Sequence, residues 1–143
     1  MMLIDANLLL YAYDPSSPHH EASRHWLETT FSGPETIGLA WTTALAFLRI
    51  TTSPRPLENP LSAFEAVAIV SEWLERPRVS LLSPGERHWE ILRRLLTDQQ
   101  VRGPLVTDAH LAALAIEHGA TLATTDRDFS RFPALRTLNP LAG

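Results

Sequence analysis

The chain has 143 residues, 45% of them apolar and 20% charged, with a formal net charge of −4 and no cysteine. That length suits one domain with its own core, expected to span residues 1–143. The missing cysteines exclude disulfides, thiolate zinc sites and cysteine nucleophiles, and are compatible with a reducing cytoplasm, the expected location. A sequence-blind nucleic-acid binder is ordinarily basic, so a nucleic-acid substrate would have to be met here by local cations or bound metal. No run of about 18 apolar residues exists, so no membrane span is expected. The apolar run at the start is short, lacks a basic flank and is interrupted by Asp5, so it does not read as a signal peptide.

In chain order, Met2 to Ile4 reads as a buried strand and Asn7 to Tyr13 as a helix ended by Asp14-Pro15. Ser17-Pro18 reads as an N-cap with proline at the first helical position, opening a helix to about Thr29. Gly33-Pro34 breaks it; Thr36 to Ala40 is a second strand, and Trp41 to Ile50 has helical spacing. Pro54 and Pro56 mark a loop, and Ser62 to Glu65 fits a capping box opening a helix to about Glu75. Arg76-Pro77 stops that helix before a third strand, Val79 to Leu82, and a helix near Glu86 to Gln99. Asp108 opens the next helix, which Gly119 ends; Leu122 to Thr124 and Arg136 to Leu138 are the last strands. This alternation predicts an α/β fold with a short, mainly parallel, twisted sheet and helices on both faces.

Aspartates stand where such a fold places ligands. Asp5 ends the first apolar run, Asp108 starts a helix, and Asp126 and Asp128 follow the apolar run at Thr121 to Ala123. Taken singly, each has an ordinary structural use at a cap or turn, and that is the stronger reading of any one alone. Together they converge, because the carboxyl ends of parallel strands share one edge of the sheet. Clustered carboxylates repel one another, a cost that a hard, oxygen-seeking cation such as Mg²⁺ would remove. Cations held this way activate water and neutralise charge in phosphodiester hydrolysis.

These segments resemble a known family. Ile4-Asp5-Ala6-Asn7, Thr107-Asp108-Ala109-His110-Leu111-Ala112-Ala113 and Thr124-Thr125-Asp126-Arg127-Asp128-Phe129 are similar to the motifs of PIN-domain ribonucleases. More narrowly they resemble the VapC toxins of type II toxin–antitoxin systems. Phe47-Leu48-Arg49-Ile50-Thr51-Thr52 and Phe132-Pro133 with Asn139-Pro140-Leu141 match one subgroup of these, so the resemblance runs through essentially the whole chain. It implies a three-layer α/β/α domain and an endoribonuclease that uses Mg²⁺, with Mn²⁺ able to substitute, on single-stranded or looped regions of tRNA or rRNA. It implies Asp5, Asp108 and Asp126 as metal ligands and catalytic groups, with Asp128 assisting, and products bearing a 5′-phosphate. It also implies a cognate antitoxin partner, contact with DNA only through that antitoxin, and a homodimer. Many relatives carry a glutamate where Ala46 stands here; without it a second ion lacks that carboxylate, while the first site is untouched.

Other residues admit two readings. Asn7 either orients Asp5 or starts a helix; Thr125 either donates to a carboxylate or phosphate or simply ends a strand. Arg49 either meets substrate phosphate or lays its stem along the surface, the latter slightly favoured. The six histidines show no paired ligand spacing, and His110, two residues from Asp108, does not share its helix face. The four tryptophans read as core or interface. Trp41 to Ile50 and Ala63 to Leu74 have wide apolar faces, candidates for a dimer or antitoxin surface. Two alternatives remain: a haloacid-dehalogenase-type phosphatase, whose chemistry wants an aspartate where Asn7 stands, and a non-catalytic cation-binding module.

Overall fold

A computed structural model describes residues 1–142 other than Pro56 and Glu58; Pro56, assigned to a loop from sequence, lies outside the described residues. Five strands form one sheet: β1 (Met2–Ile4), β2 (Ile37–Ala40), β3 (Val79–Leu82), β4 (Thr121–Ala123) and β5 (Thr137–Leu138). Their order is β3-β2-β1-β4-β5, and every pairing is parallel. Six helices connect them: α1 (Ala6–Tyr13), α2 (His20–Ser32), α3 (Trp41–Thr51), α4 (Ala63–Glu75), α5 (His88–Asp98) and α6 (Leu105–His118). A 3₁₀ helix, Arg127–Arg131, bridges β4 and β5.

Because side chains alternate across a strand, β1 to β4 each serve two cores, while the edge strand β5 is exposed. Leu3 and Leu122 face one, with Leu95 of α5, the alanine-rich face of α6, Phe129 and Phe132. Ile4 and Ala123 face the other, with Leu8, Leu9, Leu27, Phe47, Val70 and Trp73 from α1 to α4. The result is the expected α/β/α sandwich. β2 is buried at all four positions, as befits a parallel strand covered on both faces. Among the described residues, no helix is long and apolar enough to cross a membrane.

Several boundaries differ from the sequence reading. α2 starts at His20 rather than Pro18, because the Ser17 hydroxyl accepts from the His19 N–H and closes a turn before the helix; it then continues to Ser32. α6 starts at Leu105, three residues before Asp108: Gly103 turns the chain at φ +64° and Pro104 caps it. The Ser62–Glu65 capping box forms as expected, with both reciprocal hydrogen bonds. Gly119 ends α6 in the left-handed region, at φ +66°.

The sheet order matters for function. From β1 the chain builds outward through β2 to β3, then crosses to the other side of β1 for β4 and β5. The order reverses between β1 and β4, and in open α/β sheets the crevice outside the carboxyl ends at such a point is where ligands bind.

Candidate metal centre

Asp5 and Thr124 follow the last paired residues of β1 and β4, Ile4 and Ala123, so register sets them side by side at that switch point. Asp5 is the N-cap of α1: Oδ1 accepts from the Ala6 N–H at 2.8 Å, and Oδ2 accepts from the Thr124 hydroxyl at 2.7 Å. Burial of Leu8 and Leu9, on the order of 1.5–3 kcal/mol each, anchors the helix that Asp5 caps. The Thr124 oxygen in turn accepts from the Asp126 N–H at 3.0 Å, and Asp126 Oδ1 accepts from the Asp128 N–H at 2.8 Å, capping the 3₁₀ helix. One hydrogen-bonded chain thus runs from Asp5 through Thr124 and Asp126 to Asp128.

Asp108 approaches from the first turn of α6. Asp108, Asp126 and Asp128 each bring one carboxylate oxygen within 4.8 Å of the others. Burial pushes the Asp108 carboxyl up to about 6, helped by the charges of Asp126, Asp5 and Asp128 and opposed by Arg131. Asp5 is also raised, chiefly by burial and slightly by Asp126, while its bonds from Thr124 and Ala6 pull the other way. The donors are all oxygen, crowded and short of positive charge, which fits a hard divalent cation. The tight group is Asp108, Asp126 and Asp128; Asp5 joins through Thr124 and through its charge, with both oxygens already accepting from the protein.

The remaining residues singled out from sequence fall unevenly. Asn7 is half-buried in the first turn of α1, with no side-chain hydrogen bond among the described residues. Thr125 lines an open cavity next to Asp126, and it is the preceding threonine that holds Asp5. Arg49 is exposed in the last turn of α3 and is not among the charges acting on Asp108. The cation that does act there is Arg131, whose Nε donates to the Asp128 carbonyl. Sequence reasoning passed over Thr124 and Arg131; the local signal for each was proximity to Asp126 and Asp128 in a turn. Ala46 is half-buried on α3. His110 meets His88 at 3.0 Å, where α5 packs on α6, and its basicity is lowered by burial and by His88. Trp73 is a core residue packed edge-on against Phe47, whereas Trp41 and Trp89 are exposed.

A parallel sheet with carboxylates gathered at its switch point defines a class of metal-assisted hydrolase, and the chain belongs to the PIN-domain family, whose model matches residues 2–135. Within that family its full-length relatives are VapC ribonucleases. It is 43% identical over 142 residues to Ribonuclease VapC37 of Mycobacterium tuberculosis, covering 99% of both chains. Among solved structures it is similar to VapBC2 from Rickettsia felis bound to a promoter DNA fragment, with TM-score 0.71, 19% identity, and coverage of 96% of this chain and 97% of that one. It is also similar to Mycobacterium tuberculosis VapC20, described as a sarcin–ricin loop cleaving toxin, with TM-score 0.65, 16% identity, and coverage of 91% and 93%. The phosphatase and binding-module alternatives find no support in these likenesses.

Proposed function

We propose that this chain is the toxin of a VapBC-type pair, a Mg²⁺-dependent endoribonuclease acting in the cytoplasm on looped tRNA or rRNA. The observation that carries this reading is the crowded oxygen cluster of Asp108, Asp126 and Asp128, with Asp5 tied to it through Thr124, in a PIN domain. Asp108, Asp126 and Asp5 would hold the ion, Asp128 assisting; when bound, the ion supplies water activation and charge neutralisation at the phosphate. Thr124 fixes the rotamer of Asp5 and the turn that presents Asp126. Mn²⁺, with similar ligand preferences, would substitute.

Attack by water leaves a 5′-phosphate and a 3′-hydroxyl, with no part for the 2′-hydroxyl of the substrate. The sarcin–ricin loop specificity named for VapC20 supports looped RNA as the substrate class. The test is cleavage of structured RNA with Mg²⁺, with EDTA, and with Mg²⁺ restored. Loss and recovery are expected, and product 5′ ends should ligate without kinase treatment. Cyclic phosphate ends, or cleavage that persists in EDTA, would sink the reading.

The antitoxin partner is supported by neighbours solved as VapBC complexes. Contact with DNA then comes through the antitoxin. The exposed apolar residues of α3 and α4, Trp41, Leu45, Phe64 and Val67, are the faces that an antitoxin and a second copy of the chain would cover. Phe64→Glu should lower antitoxin affinity or the solution mass without altering RNA cleavage; normal antitoxin binding and mass would remove α4 from those surfaces.

A further inference from the structure

At the carboxyl ends of β4 and β5, next to Asp126, an open cavity of about 310 Å³ has a lining unlike that of the metal centre. Arg127 and Ser130 enter from the 3₁₀ helix, Thr125 from the end of β4, and Asn139 from the end of β5. Asp126 is the one carboxylate in the lining, and it faces the cation site as well. The other groups offer a guanidinium, hydroxyls and an amide. The Asn139 Oδ1 accepts from the Leu141 N–H at 3.0 Å, which fixes the amide and leaves its own N–H groups to donate.

Arg127 is exposed, and among the described residues it has no ion pair and no side-chain hydrogen bond. Some arginines of this chain are engaged, Arg24 with Glu21 and Glu28, Arg93 and Arg94 with Glu90, Arg136 with the Gly119 carbonyl; of those without such a partner among the described residues, Arg127 is the one that lines this cavity beside Asp126. An unpaired cation next to a carboxylate cluster, in a chain of net charge −4, marks where an anion can approach. A cation held by the aspartates neutralises only the phosphate being cut; the next phosphate along the strand needs a charge of its own. The cavity is at the small end of ligand sites, which suits a single nucleotide. Its lining residues carry hydroxyls, an amide and a guanidinium and include no aromatic ring, unlike the core of a protein interface.

We infer that this cavity is the subsite for the nucleotide adjoining the scissile phosphate, with Arg127 taking that nucleotide's own phosphate and the amide and hydroxyl groups facing its ribose and base. The inference rests on the RNA-cleaving reading above and adds the residues that seat the strand beside the cut.

The test is binding of a labelled single-stranded RNA oligonucleotide to the full chain in EDTA, in an Asp108→Asn background, across a KCl series. Removing one phosphate contact makes the slope of log K against log salt shallower by about 0.7. Raising KCl from 50 to 200 mM should therefore weaken the background protein about 2.6-fold more than the same protein carrying Arg127→Ala. Arg127→Lys should restore the slope, and Arg24→Ala, on α2, should leave it unchanged. In the active chain, Arg127→Ala should raise KM and leave kcat close to the parent value. An unchanged slope, or a change in solution mass or antitoxin affinity with no change in RNA binding, overturns the subsite. A parent that fails to cleave RNA with Mg²⁺ overturns the activity itself; a cleaving parent with an unchanged Arg127→Ala slope overturns the subsite alone.

Discussion

Asp108→Asn should make the metal-free protein more stable. An acid in the first turn of a helix is ordinarily favoured by about 0.3–1 kcal/mol. At Asp108 burial and three neighbouring carboxylates outweigh that benefit, because the carboxyl is pushed from 3.8 up to about 6. A change of that size corresponds to about 3 kcal/mol against the charged form. Asp108 is only half-buried, so solvent screening reduces the penalty to about 1 kcal/mol. Removing the charge should raise Tm in EDTA at pH 7.5 by roughly 3–5 °C for a domain of this size. The sign of the pH dependence follows from the same shift. Between pH 6 and 3.8 the folded state binds more protons at Asp108 than the unfolded chain does, so the penalty is complete above pH 6 and fades as pH falls through that window. At pH 5 the advantage of the variant should be smaller than at pH 7.5. Thermal unfolding of both proteins at both pH values is the assay. A variant that melts at or below the parent at pH 7.5, or an advantage that does not shrink at pH 5, would refute the account of the cluster as a site of uncompensated charge.

Asp5→Asn should show no such gain, because both oxygens of Asp5 accept hydrogen bonds and an amide nitrogen cannot replace either; equal stabilisation in EDTA melts would contradict this geometry. Asp5→Asn, Asp108→Asn and Asp126→Asn should each lower Mg²⁺-dependent cleavage by orders of magnitude, and a double variant should be scarcely worse than a single one, as single-turnover rates would reveal. Thr124→Val should cost about 1–3 kcal/mol in denaturant unfolding and most of the activity, since it leaves the Asp126 N–H without its acceptor and Asp5 without its donor; Thr124→Ser should recover both. With a Kd of about 1 mM, 10 mM Mg²⁺ should stabilise the parent by about 1.4 kcal/mol, and Na⁺ at matched ionic strength should not; equal Tm shifts for both salts would remove specific coordination.

What could be read from the sequence was whatever local chemistry decides. An apolar run ending on Asp5 can be recognised as a strand end because alternation alone sends Leu3 and Ile4 to opposite faces, whatever covers them. The Ser62–Glu65 capping box and Gly119 are local for the same reason. The start of α2 differs from the sequence reading because a serine before a proline can cap a turn as readily as a helix, and here Ser17 serves the turn. A carboxylate such as Asp108 suits a helix start, but Gly103 and Pro104 begin this helix three residues earlier. The choice between Thr124 and Thr125 depends on the register of β1 against β4, strands separated by most of the chain. A shift of one residue there turns the hydroxyl to the other face, and no pattern within either strand records it. Arg131 escaped notice for a similar reason: its reach to the acids depends on how the 3₁₀ helix folds back.

The bond between Asp5 and Thr124 joins residues 119 positions apart, and that separation has a consequence for translation. The ribosome adds Asp5 long before its partner. At synthesis rates of about 5–20 residues per second, roughly 6–24 s pass before the ribosome adds Thr124. Until then β1 lacks its β4 neighbour, and Asp126 and Asp128 do not yet exist. The acidic cluster of Asp108, Asp126 and Asp128 therefore assembles only after β4 has been made.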